Sequence, residues 1–456
     1  MRNQFLYLLL LASIVSCNAK NGSRALTADQ TVFAEVNIVD VRSGAISPAH
    51  VIVKENIIEQ ILSLEEDIDF AKAKVIDGKG NYLLPGLAEM HAHIPDKSWD
   101  DPLVQETLFL YLSNGITTIR GMLGNEVHLP LREKAANQEI LSPRIFTSSP
   151  SLNGNTVTTP EEAQEKVKNY AEAGYDFLKL HPGIRKHVFD SLVAAANKYG
   201  IPFAGHVSNL VGIRHALKNG YQTIDHVDGF IEGLVPKEAG VNPTENGFFG
   251  FNFTELANPN TIPELVELSK KNKVWVVPTQ SLFERWFSPI PAEILVDQEE
   301  MQYMSPKTRE NWVKSKKNLT AGDNFNETKW KQFNQIRYQL IKALHEDGQG
   351  LLLGSDAPQV FNVPGFSIHH EIKGMLAAGL RPLEILQIGT LNPAQYFDGN
   401  FGAIEEGMEA DLILLKANPL EDLNHLKNPL GVMARGQWIS EETIKEKLKQ
   451  IAEKYK

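Results

Sequence analysis

The chain has 456 residues, with 45 Lys+Arg against 56 Asp+Glu, a formal net charge of −11, 42% hydrophobic and 22% charged residues. That composition is ordinary for a globular protein and excludes a collagen, a wholly disordered chain and a polytopic membrane protein. The acidic balance argues against nucleic acid or an anionic membrane surface as the main partner.

Residues 1–17 read as an address, not as part of the fold. Arg2 precedes an apolar stretch, 5–15, too short to span a bilayer and suited to a signal peptide. It runs into Ile14-Val15-Ser16-Cys17, which resembles a bacterial lipobox. The expectation is an exported lipoprotein with lipid attached at Cys17 and its folded part in the periplasm or outside the cell. An ordinary secretory signal cut after Ala19 is the alternative. Cys17 is the one cysteine of the chain, which excludes an intrachain disulfide and a Cys₄ zinc site. Residues 18–28 are small or polar and read as a linker.

Short strands follow at 36–41, 51–55 and 57–62, an all-β beginning. From Tyr82 the pattern changes to short apolar runs alternating with amphipathic helical stretches. The runs are 83–88, 117–120, 144–147, 177–180, 203–205, 223–225, 274–278 and 351–354. Helical candidates between them include 160–173, 185–198, 211–219 and 262–271. Eight runs alternating with helices predict an α/β fold, a (β/α)₈ barrel over 82–399. Strands resume at 410–415 and 432–438, and 441–456 is a charged amphipathic helix. The β segments at 29–81 and 400–440 therefore flank the barrel, and the simplest packing joins them into one side domain.

Two stretches interrupt this rhythm. Residues 280–350 are longer than an ordinary connection and carry Trp286, Tyr303, Trp312 and Trp330. Residues 229–261 carry Phe248, Phe249, Phe251 and Phe253. Such insertions form lids or substrate walls. Plain packing, including a contact within a homo-oligomer, suits the same aromatics.

In a barrel, residues at the C-terminal ends of the strands converge on one mouth. The first run leads into Glu89-Met90-His91-Ala92-His93. An i, i+2 spacing on an extended strand puts both imidazoles on one face, where they can ligate a metal. Alone, that pair also suits ordinary hydrogen bonding. However, the fourth run carries Lys179, the fifth leads into His206, the sixth into His226 and the eighth into Asp356. Four histidines, a lysine and an aspartate at the strand ends of one barrel make a coherent set.

These residues resemble the amidohydrolase superfamily. The likeness rests on Val75-Ile76-Asp77-Gly78, Leu84-Pro85-Gly86-Leu87 and the H-x-H that follows. It also rests on Gly115-Ile116-Thr117-Thr118, Glu406-Gly407 and Ala410-Asp411-Leu412. Within that superfamily the chain is similar to the imidazolonepropionase-like branch, which includes prolidase-like dipeptide hydrolases. The resemblance implies a barrel plus a β-sandwich built from both chain ends. It implies two divalent metal ions, with zinc the first choice for imidazole and carboxylate ligands. His91, His93 and Asp356 would hold the first and His206 and His226 the second. Lys179, carbamylated by carbon dioxide, would bridge them, since an anionic bridge between two dications is favourable. An unmodified Lys179 would bind a substrate carboxylate or pair with an acid inside the barrel.

The implied activity is hydrolysis of a C–N (amide) bond in a small substrate, a dipeptide or an N-acyl amino acid, by metal-hydroxide attack on the carbonyl. Asp356 would then deliver the proton to the leaving nitrogen. The same machinery would suit a lactone or a carbamate, and a surface lipoprotein that binds a small ligand without turnover is the competing class. A mononuclear deaminase of the superfamily typically has glutamate three residues after the fifth-strand histidine, where this chain has Asn209. Glu89 stands where many relatives have aspartate. Arg120 and His181 are candidate substrate contacts, Arg120 for a carboxylate; Arg120 equally suits a pairing with an acid at the barrel mouth, and His181 a place behind the metal ligands. Asp228 suits a local pairing or a basic substrate group. His369 and His370 read as solvated residues at a helix start.

Overall fold

The computed structural model describes residues 23–322 and 324–456. The expected signal segment and Cys17 lie outside the described residues. Part of the expected linker is ordered: Arg24–Ala25 pairs in parallel with Ile68–Asp69, and Leu26 is buried against Val32, Ile52 and Leu62. Among the described residues no helix is long and apolar enough to cross a membrane.

Both ends of the chain build one side sheet. Its path runs Gln437–Ser440, Gly431–Ala434, Leu412–Leu415, Tyr82–Pro85, Gln30–Val39, Ile46–Lys54 and Ile57–Leu62, with Lys74–Asp77 joined to Gln30–Val39. The sheet curls until its ends meet. Ile58 donates its N–H to Met408 O at 2.8 Å, and the rings of Phe33 and Trp438 lie 5.3 Å apart. Alternating apolar residues of this sheet, among them Phe33, Val51, Leu83, Leu412 and Met433, fill one sandwich-like core.

The barrel is built from seven parallel strands: Leu87–Ala92, Ile116–Gly121, Arg144–Leu152, Phe177–Leu180, Phe203–Gly205, Thr223–Asp225 and Trp275–Val277, each beside the next. The eighth run closes the circle through bridges, not as a regular strand. Leu351 pairs with Val276 and Ala357 with Ala92, while Met90 donates to Leu353 O at 2.8 Å. Helices ring the outside and their ends are marked in the sequence. Pro160–Ala173, for example, starts at a Thr159/Glu162 capping box and ends at Gly174 in the left-handed region.

The run expected as the first barrel strand, 83–88, divides at Gly86. Tyr82–Pro85 belongs to the side sheet and Leu87–Ala92 to the barrel. The hinge is visible in the hydrogen bonds. Gly86 donates to Asp411 O at 2.8 Å, and its neighbour Leu87 donates to Gly115 O at 2.9 Å. A Cβ at Gly86 would meet Thr117 Oγ1 at 2.1 Å, so only glycine admits this approach. Asp411 completes the seam by accepting from Arg144 at 2.9 Å and from Arg435 N at 2.8 Å.

The 280–350 insertion contains four helices: Gln280–Arg285, Ala292–Val296, Pro306–Thr320 and Glu327–Glu346. Its aromatics pack inside the chain. Trp330 donates to Phe283 O at 3.1 Å, and Tyr303 stacks on Phe366 at 4.8 Å.

Candidate active site

The parallel strands bring His91, His93, Lys179, His206, His226 and Asp356 together at one end of the barrel. His93 Nε2 lies 2.7 Å from Asp356 Oδ1, and His91 Nε2 lies 3.4 Å from the same oxygen. The ligand atoms of His91, His93 and Asp356 all fall within 4.8 Å of one another, a spacing that suits one metal ion. His206 and His226 stand beside this trio. The His226 ring is 4.6 Å from His91 and 4.6 Å from His206.

Two of these residues sit in strained backbone. His226 has φ 66° and Asp356 φ 64°, in the left-handed region that non-glycine residues seldom adopt. Thr279, whose Oγ1 lies 2.8 Å from His226 Nδ1, has φ 47°. Such conformations cost roughly 1–3 kcal/mol each and persist where packing over-determines them, commonly at functional sites.

The surroundings prepare the side chains. Burial holds His91, His206 and His226 well below the ordinary imidazole range, and neighbouring positive groups add to the effect. Neutral imidazole is the form that ligates a metal. Asp228 Oδ2 lies 3.1 Å from His206 Nδ1, and Thr279 holds Nδ1 of His226. Each contact leaves Nε2 as the nitrogen open to a ligand. Glu89 is fully buried, accepts from the N–H groups of His91 and Ser355, and so ties the first strand to the closing segment beneath Asp356.

Lys179 is buried, with Nζ 3.5 Å from Asp225 Oδ2. Burial lowers its pKa, against the pull of Asp225 and Asp356. His91 Nδ1 lies 3.6 Å from the same carboxylate oxygen. These three atoms (Lys179 Nζ, His91 Nδ1 and Asp225 Oδ2) are buried without a hydrogen-bond partner. Buried polar groups are rarely left so. Three of them at one point, beside neutral imidazoles and a carboxylate, make a donor set that fits a divalent cation.

The two candidate substrate contacts lie at different depths. Arg120 is fully buried and pairs with an acid inside the barrel, Asp225. It donates to Met90 O, Thr223 Oγ1 and Asp225 Oδ1, each at 2.7 Å, and to the Tyr396 hydroxyl at 3.1 Å. Its place on the second strand points it into the barrel beneath the site. His181 does join the site: its ring stacks 4.9 Å from His206, and its Nδ1 lies 2.8 Å from Ser151 Oγ. His369 and His370 stand half-buried at the start of the helix Ser367–Ala377. They pair with Asn114 Oδ1 at 3.0 Å and Glu300 Oε1 at 2.8 Å, outside the cluster.

Three residues of the site were not singled out in the sequence. Asp225 precedes His226 and neutralises both Arg120 and Lys179 from within the barrel. Arg337, from Glu327–Glu346, reaches His226 O at 2.7 Å and Pro278 O at 2.8 Å. Phe249 lies over the second pair of histidines, its ring 5.9 Å from His206 and 5.2 Å from His226. On the opposite side, His93 borders a cavity of about 600 Å³.

A model of the amidohydrolase family matches residues 82–439, most of the chain. The chain belongs to the amidohydrolase family. It is therefore an enzyme, a hydrolase of a metal-dependent family. A search of curated protein sequences gives no match. Solved structures of similar fold include a bottromycin amidohydrolase, 20% identical with a TM-score of 0.71, the match covering 94% of this chain and 91% of that one. A putative prolidase from Bifidobacterium longum is 24% identical with a TM-score of 0.65, over 93% and 100% of the two chains. A Xaa-Pro dipeptidase with bound methionine in its active site is 20% identical with a TM-score of 0.62, over 90% and 100%. These amidohydrolase-family likenesses agree with the barrel and side sheet found here.

Proposed function

We propose that the enzyme is a binuclear metal hydrolase that cleaves the C–N bond of a small amide, a dipeptide or an N-acyl amino acid. The observation that carries this reading is the buried Lys179 amine, set without a hydrogen-bond partner among four histidines and Asp356. A mononuclear site has no need of a lysine there. The names prolidase, Xaa-Pro dipeptidase and amidohydrolase, borne by proteins of similar fold, support an amide as the substrate class.

His91, His93 and Asp356 would hold one ion and His206 and His226 the other, with zinc the first choice. Lys179, carbamylated by carbon dioxide with loss of a proton, would offer the ions an anionic carboxylate-like group on a long stem. The ions supply Lewis acidity toward water and the scissile carbonyl. Asp356 accepts the proton that water gives up and passes it to the leaving nitrogen. One C–O bond forms, the C–N bond breaks, and a carboxylic acid and an amine leave. Phe249 walls off His206 and His226 from solvent, and His181, stacked on His206, faces the same space as a candidate substrate contact.

The test is amine release across a panel of dipeptides and N-acyl amino acids, with Asp356→Asn beside the unaltered enzyme. Turnover lost in the variant supports the reading, and undiminished turnover removes Asp356 from the mechanism. Cys17 is proposed as the lipid attachment site that holds the enzyme in the cell envelope. Cys17→Ser should then move activity from the membrane fraction to the soluble fraction.

A further inference from the structure

The cavity beside His93 is built by parts of the chain remote in sequence. His93, Ile94 and Pro95 follow the first barrel strand, and Pro358 follows Asp356 by two residues, so the cavity borders the metal-ligand cluster at His93. Its floor is the helix Pro102–Ser113. Tyr303, Met304 and Trp312 of the 280–350 insertion form one wall, and Lys454 and Tyr455, at the end of the chain, form another.

The lysine and carboxylate side chains around it are already paired with one another. Lys97 meets Asp101 at 3.1 Å. Glu106 accepts from Lys454 at 2.7 Å and from the Tyr455 hydroxyl at 2.9 Å. Ser305 and Thr308 share a hydrogen bond of 2.8 Å, and Thr107 donates to Leu103 O at 2.8 Å. Each lysine and carboxylate of the lining is thus already matched to an opposite charge and none is left to hold a charged substrate group, whereas an apolar group displaces only water. The remaining lining, with Ile94, Leu103, Leu110, Met304 and Trp312, is apolar. A volume of about 600 Å³ is in the range of ligand pockets and far exceeds what a methyl side chain fills.

We infer that this cavity is the specificity subsite of the enzyme, and that it takes a bulky apolar group, aromatic or branched aliphatic, attached next to the scissile bond. The inference rests on the amide-hydrolase reading for the bond cleaved. Met304 and Trp312 of the insertion and Tyr455 at the chain's end set the size of that group. The Glu106 pairings hold the last turn of the C-terminal helix in place as a wall.

Two measurements test it separately from the chemistry. The first is kcat/KM for Ala-Ala, Phe-Ala, Ala-Phe, Asp-Ala and Ala-Lys. One of the phenylalanine dipeptides should exceed Ala-Ala at least tenfold and the charged ones by more. Met304→Trp and Thr308→Trp, two independent ways of filling the cavity, should each cut that preference at least fivefold. The second is calorimetric titration of metal-stripped protein with 3-phenylpropionate. Saturable binding is expected, weakened at least tenfold in both variants. If dipeptides are cleaved with no preference for phenylalanine and the acid does not bind, the subsite is refuted and the amide-cleavage reading stands. If the acid binds in the cavity but no amide is cleaved, the apolar pocket stands and the amide-cleavage reading falls. Binding that neither variant weakens also overturns the subsite.

Discussion

Asp228 Oδ2 lies 3.1 Å from Nδ1 of His206 and 3.2 Å from the backbone nitrogen of Val207, so one carboxylate fixes both the ring and the turn that carries it. Held this way, His206 offers Nε2 to a metal. Removing such an outer partner typically costs ten- to a hundredfold in metal affinity. Asp228→Asn should therefore lower the metal affinity at His206 by about that factor. A competition titration against a chelator measures it. Unchanged affinity would assign Asp228 to the turn alone.

Lys179 gives a sharper prediction. As an unmodified ammonium it pairs with Asp225 at 3.5 Å, and as a carbamate it is a carboxylate on a long stem. Lys179→Ala should drop metal content from two ions to one or none. A small carboxylate such as propionate, added at high concentration, should restore part of the lost activity by standing in for the carbamate. A variant that keeps two ions without added carboxylate would leave the lysine as a structural partner of Asp225.

Arg337 joins the insertion to the site. Its guanidinium is fully buried, lies 3.5 Å from the Phe283 ring centroid, and bonds His226 O, Pro278 O and the Gln280 amide oxygen. Arg337→Met would leave three buried acceptors without their donor, at roughly 1–3 kcal/mol for each unsatisfied group. The expected outcome is a large fall in the unfolding midpoint, and metal binding at the His226 side should weaken with it. Thermal unfolding and metal titration of the same variant check both.

Gly86 tests the seam between sheet and barrel. Gly86→Ala places a methyl 2.1 Å from Thr117 Oγ1, a clash that the surrounding strands must absorb. Overpacking of this kind costs about 1–3 kcal/mol. Gly86→Ala combined with Thr117→Ser removes one of the crowded atoms and should recover part of the loss in denaturant unfolding.

What could be read in the sequence was whatever has a period or a position. Strand ends alternate with helices, so His91, His93, Lys179, His206, His226 and Asp356 could be placed at one mouth before any coordinates. The curling of the side sheet was not visible, because it depends on the meeting of Ile58 with Met408, far apart in sequence. Arg120 stayed open between a substrate carboxylate and an acid of the barrel because its strand position says nothing about depth. It lies under the site, and its partner was within reach of the same logic. Thr223 and Asp225 alternate on their strand as inward-facing residues, and Asp225 is the acid that a buried arginine requires. Arg337 carried no signal at all, since one arginine in a charged helix looks like any other. Phe249 was seen only as one of a group of aromatics. Its left-handed backbone, φ 52°, which turns the ring over His206 and His226, belongs to the fold.

Metal content per chain, with the protein expressed from residue 18 onward in the presence of zinc and bicarbonate, tests the central claim most directly. The account predicts about two ions per correctly folded chain. One ion or none would contradict the carbamate bridge and the binuclear site.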